Sequence, residues 1–257
     1  MKKITILSFF LMGSFIFHPL AKSNSDQPQQ HLADMALPKI TGESYLQSIY
    51  QQFPENSFSW EVFKYAMTGK KILERDGQVK KTNLLTLIDF SKPSTEERFF
   101  VLDLDNYTIL FSSLTSHGQQ TGDNWAKNFS NIPESHQSSL GFFKTAETYY
   151  GSKGFSMRLD GLETGINHHA RARAIVIHAA DYVSNSFIQK HGRLGRSYGC
   201  PALPNDLNRP IIEKIKEGSL LFIYAPDKQY QHQSEVFKSS DTELYSVEAN
   251  NSPSHSG

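Results

Sequence analysis

Cysteine occurs once in the 257 residues, at position 200, within "HGRLGRSYGCPALP". A thiol attacks a carbonyl carbon as thiolate, and a free cysteine near neutral pH is mostly protonated. Nucleophilic use therefore needs a base within hydrogen-bond reach and N–H groups to hold the oxyanion that forms. His178 is the candidate base. It ends the apolar run "AIVIH", so a buried strand would present its imidazole rigidly at a sheet edge. The 22 residues from His178 to Cys200 leave room for the chain to leave a strand, turn and return.

The return segment is rich in glycine, with Gly192, Gly195 and Gly199, so backbone amides can point into a concavity. Pro201 has no N–H, which leaves Cys200 and the residues before it, chiefly Gly199 and Tyr198, as oxyanion donors. Ser197 either supports the histidine or shapes the turn. Two other readings compete. A lone cysteine usually packs as a small apolar side chain, but this one sits between Gly and Pro in an arginine-rich loop. A zinc site has ligand types available in His168, His169, His178, His191 and Cys200, yet no CxxC, HxH or HExxH spacing organises them. The reading is no metal and no cofactor.

The elements that must hold this pair are short β-branched and aromatic runs from Asn83 onward: "NLLTLIDF", "RFFVLDLD", "YTILFSSL", "FSMRLDGL", "RAIVIHAA" and "GSLLFIYAP". A hairpin turn is expected at Asp105-Asn106 and a helix over 206–217. Upstream, "GESYLQSIYQQF" and "SFSWEVFKYAMTGKKIL" place apolar residues at helical spacing and form a helical lead-in over 41–82. The expected fold is mainly β (α+β), with a catalytic domain over 83–226 and a flexible tail over 227–257.

Residues 1–25 have a basic start, a short apolar middle and a small-residue exit, the layout of a secretory signal. An uncleaved anchor would need an apolar run nearer ~20 residues. No cysteine follows the run to carry a lipid. A polar linker occupies 26–40. The expected chain is exported, periplasmic or wall-associated, without stable membrane insertion after cleavage. Basic and acidic residues balance at 26 each, so no net field recruits nucleic acid. One cysteine forms no internal disulfide, and an odd thiol in an oxidising compartment is either buried or used.

"AIVIHAADYV" followed by "LGRSYGCPALP" resembles the murein L,D-transpeptidase (YkuD-type) catalytic domain. "TSHGQQTGDNWAKNFSN" and "SSLGFFKT" look like that family's glycine turn and following strand, with a longer insert between them. The resemblance implies a β-sandwich or barrel with a few helices. It also implies a Cys200–His178 dyad that makes a thioester with peptidoglycan stem peptides, with carbapenem-type compounds as possible inhibitors. Two departures stand out: Tyr198 replaces the family's usual His or Asn, and Ala202 replaces an arginine two residues past the cysteine. Recognition of a substrate carboxylate is therefore expected to fall to Arg196, Arg193 or Arg173. His117 lines the site or is a solvated loop residue, and Trp125, Phe129 and Asn131 in the insert form a lid or pack locally. Two alternatives remain, an L,D-carboxypeptidase or endopeptidase with the same dyad and a non-catalytic wall-binding protein. Rapid labelling of a thiol with a depressed pKa would favour an enzyme over the binding protein.

Overall fold

The computed structural model describes residues 42–55 and 57–238. The expected signal, the linker and the tail beyond 238 lie outside the described residues. Eight strands form one sheet in the order β3-β2-β1-β8-β4-β5-β6-β7. They are β1 (Lys81–Asp89), β2 (Phe99–Asp103), β3 (Thr108–Ser113), β4 (Gly141–Gly151), β5 (Gly154–Gly161), β6 (Val176–Ala179), β7 (Ala202–Leu203) and β8 (Ser219–Tyr224). The β1–β8 and β6–β7 pairs are parallel and the others antiparallel. Every residue of β8 is buried, which explains why "SLLFIY" is apolar without alternation.

The two ends of the strand order approach each other. Beyond β3, Ser116 N–H and the Thr115 hydroxyl both donate to the carbonyl of Ala202 in β7, at 3.1 and 3.0 Å. Gly118 makes a parallel bridge with Ser197. The sheet is thus rolled close to a barrel, and its seam lies just before and after Cys200.

The described residues also form the helices α1 (Gly42–Tyr50), α2 (Trp60–Arg75), α3 (Asn185–His191), α4 (Asn205–Ile215), α5 (Lys228–Gln233) and α6 (Glu235–Lys238). Val62, Phe63, Ala66, Ile72 and Leu73 of α2 belong to the same buried cluster as β1, β4 and β8, and so do Ile211, Ile212 and Ile215 of α4. Close seating of α2 requires Gly69, because a Cβ there would lie 2.0 Å from the Phe142 ring.

Three expectations change. The helical lead-in shares the sheet's core, so the domain begins upstream of the expected residue 83. Residues 227–238 are not a flexible tail. Asp227 caps α5 by accepting the Tyr230 N–H, and Tyr230 and Val236 are buried in the core. Buried Glu163 ties this segment down by accepting the Tyr230 and Ser234 hydroxyls and the Phe142 N–H. Finally, β7 and α3 are absent from the strand and helix runs read above, and of β4 only the start is read there, as the strand in "SSLGFFKT". The Thr-Ala-Glu-Thr centre of β4 interrupts its apolar run, and its pairing with β5 shifts register between Thr145 and Thr148. The turn at Asp105-Asn106 is present, with both N–H groups donating to the Asp103 carboxylate.

Candidate active site

The parallel β6–β7 pair sets His178 opposite Ala202. Cys200 lies two residues ahead of Ala202 and in step with Val176, whose N–H donates to the sulfur at 3.4 Å. The thiol donates to the Ala174 carbonyl at 3.6 Å. Cys200 and His178 both line a cleft of about 470 Å³, together with Gln119, Lys153, Arg173 and Tyr182. Cys200 is half-buried, packed against the core on one side and on the cleft lining on the other.

His178 is 4% exposed, and its Nδ1 lies 2.9 Å from the Ala179 carbonyl oxygen. A carbonyl oxygen only accepts, so Nδ1 carries the proton and neutral Nε2 keeps its lone pair. Burial holds His178 below the usual imidazole range, the Ala179 carbonyl opposes this, and the Lys153 charge adds to it. Burial pushes the Cys200 thiol up, opposed by the Val176 N–H and the Arg173 charge. The depressed thiol pKa expected of an enzyme is therefore not what the fold produces. Both shifts favour the neutral forms, thiol at Cys200 and imidazole at His178.

The loop before the sulfur is built around Ser197. Its hydroxyl donates to the Cys200 carbonyl at 2.6 Å and accepts the Gly199 N–H at 3.0 Å. That commitment removes Gly199 from the expected oxyanion donors and gives Ser197 the turn-shaping role. Among the described residues no acceptor reaches the N–H of Tyr198 or Cys200. Gly199 has φ +120°, and a Cβ there would meet the Gln137 carbonyl oxygen at 2.8 Å, so no other residue fits. The Tyr198 ring is 66% exposed and stacks on His136 at 4.3 Å.

The arginines separate clearly. Arg173 lines the cleft, but its Nη1 donates to the Ser130 carbonyl and the Ser139 hydroxyl, and its Nη2 to the Ser135 hydroxyl and the Gln137 carbonyl. Each Nη carries two hydrogens, so no terminal fork remains for a ligand. Arg196 also lines the cleft and is 2.8 Å from Asp123. Arg193 lies off the cleft lining, on the Leu194 carbonyl at 2.7 Å and 3.8 Å from Asp123. His117 is a correction to both earlier readings. It is 1% exposed and away from the cleft, with Nδ1 2.8 Å from buried Arg98 and Nε2 3.3 Å from the Gly122 carbonyl.

The insert packs locally at Phe129 and Asn131, whereas Trp125 is exposed. Phe129 stacks on Phe90, Asn131 holds His168 and His169, and Trp125 does not reach the cleft. Its contribution to the site is instead Gln119 and the cradle around Arg173. Lys153 and Tyr182 are cleft residues that spacing arguments missed. Lys153 sits at a hairpin tip distant in sequence from both His178 and Cys200, and Tyr182 follows His178 in a polar loop. Burial and the thiolate charge push the Tyr182 hydroxyl up to about 12. Among the described residues no cluster of three or more His, Cys, Asp or Glu is arranged to hold a metal ion. No helix there is long and apolar enough to cross a membrane.

This chain belongs to the L,D-transpeptidase catalytic domain family, whose model matches residues 54–224 and so takes in α2 with the sheet. Among solved structures it is similar to an L,D-transpeptidase from Mycobacterium smegmatis, at 13% identity and TM-score 0.35, covering 56% of this chain and 59% of that one. L,D-transpeptidase 3 from Mycobacterium tuberculosis matches at 11% identity and TM-score 0.36, covering 56% and 61%. The helical cell shape determining protein Pgp2 from Campylobacter jejuni matches at 14% identity and TM-score 0.37, covering 63% and 54%. The chain thus spans about three fifths of the first of these structures. No curated protein matches it.

Proposed function

We propose that the protein is an exported peptidoglycan L,D-transpeptidase that works through a Cys200–His178 dyad and a thioester. One observation carries the reading: nucleophile and base line one solvent-open cleft, and the base is locked in the tautomer whose Nε2 can accept a proton. Nε2 takes the Cys200 proton as the sulfur bonds to the carbonyl carbon of the amide between diaminopimelate and terminal D-alanine. The oxyanion is held by the unengaged N–H groups of Tyr198 and Cys200. The C–N bond then breaks, His178 protonates the leaving amine, and D-alanine departs from the thioester. An amine of a second stem attacks the thioester, gives its proton to His178, and the thiol leaves reprotonated, which closes a 3→3 cross-link. Water in place of the amine gives a trimmed stem, the L,D-carboxypeptidase outcome.

The test is incubation of the purified protein with muropeptides, read by mass spectrometry. Cross-linked dimers plus free D-alanine are expected. Cys200→Ser and His178→Ala should each lower turnover by roughly a thousandfold or more. A carbapenem should add its mass to the wild-type protein and not to Cys200→Ser. Trimmed monomers alone would establish the hydrolase, and full activity in Cys200→Ser would overturn the dyad.

A further inference from the structure

Among the described residues the cleft contains a cation with no protein partner. Its lining includes Lys153, Arg173 and Arg196 and no carboxylate. The two arginines are engaged, Arg173 through all four Nη hydrogens and Arg196 with Asp123. Among the described residues the Lys153 ammonium has neither a hydrogen bond nor an ion pair, and it lies close enough to His178 to lower its basicity. The placement follows from the sheet. Lys153 occupies the two-residue turn between Gly151 and Gly154, and β5 runs antiparallel to β6 with Met157 opposite Ile177. The hairpin tip therefore stands at the end of the sheet where His178 ends its apolar run. An unpaired ammonium over a cleft without acids favours an anionic ligand there.

We infer that Lys153 is the specificity-determining anchor for a carboxylate of the acyl donor, the role expected of the arginines. The inference rests on the proposed function for the identity of the donor and on the cleft's geometry for the preference itself. Two donor carboxylates fit the chemistry: that of the leaving residue, and the side-chain carboxylate of the residue that acylates the sulfur.

Charge-selective alkylation tests the preference without any assumption about the substrate. The ratio of Cys200 alkylation rates by iodoacetate and by iodoacetamide should fall roughly three- to tenfold in Lys153→Met and recover in Lys153→Arg, the size of a partly exposed ion pair. The turn is exposed, so these variants should fold as the wild type does. With stem-peptide donors, amidating the carboxylate that Lys153 holds should abolish the difference in kcat/KM between wild type and Lys153→Met, whereas amidating the other should preserve it. An alkylation ratio unmoved by Lys153→Met, or one that follows Arg196→Gln instead, overturns the assignment. A protein that turns over no donor yet shows the alkylation effect refutes the proposed activity and leaves the anionic preference standing.

Discussion

At the scale of the residue, the surroundings of Cys200 and of His178 each favour the neutral form. Desolvation disfavours the charged form of each partner, so it lifts the thiol and lowers the imidazole. Two features oppose this at the sulfur, the Val176 N–H and the Arg173 charge, and they are the ones that would stabilise a thiolate once it forms. Proton transfer should therefore accompany attack on the substrate carbonyl, with the base already free of its proton at neutral pH. The pH profile of alkylation by iodoacetamide follows. Its rate should rise with pH through a value above that of a free thiol, with no plateau near pH 6. His178 titrates below its ordinary range, so turnover should persist as pH drops past 6.5, where an exposed histidine would already be half protonated. A plateau of full reactivity at pH 6 would indicate a preformed thiolate–imidazolium pair and contradict this account.

At the scale of the element, the β6–β7 pair is short and gains its precision from what surrounds it. β7 has two residues, yet Ala202 also accepts the Ser116 N–H and the Thr115 hydroxyl from beyond β3. The insert holds Arg173 with the carbonyls of Ser130 and Gln137 and the hydroxyl of Ser135. Its long excursion therefore builds the wall of the cleft behind the sulfur. On the far side of the core, α2 closes the sheet only because Gly69 lets it rest on Phe142. Gly69→Ala would ordinarily favour a helix. Here it should destabilise the protein by about 1–3 kcal/mol through overpacking. Chemical denaturation should detect the loss as a lower midpoint with unchanged slope. A stabilised variant would mean that α2 is not seated on the sheet.

At the scale of the whole molecule, pH acts through buried groups remote from the reaction. Burial and the Arg98 charge hold His117 down to about 3, whereas the unfolded chain protonates it near 6.5. The unfolded state thus binds more protons between those values, so the stability tied to His117 is complete above 6.5 and is lost as pH falls towards 3. Buried Asp89 and Glu163, both raised by desolvation, act in the opposite sense. Thermal melts from pH 7 to 4 should show a shallower decline for His117→Asn than for the wild type, and parallel curves would exclude the histidine as a source. Much of the molecule was legible from residue order. The strand runs of β1, β2, β6 and β8 are apolar because they are mostly buried, and the Gly-Cys-Pro corner bars ordinary packing because its neighbours restrict the backbone. Those are local constraints, carried by adjacent side chains. The use of each charge was not legible. Arg173, Arg196 and His117 look equivalent as letters, and Lys153 lies 25 residues before His178 on a turn with no motif. Only the rolled sheet decides which of them faces the cleft, which is already bonded and which remains open, because desolvation and partner geometry are set by segments far apart in the chain.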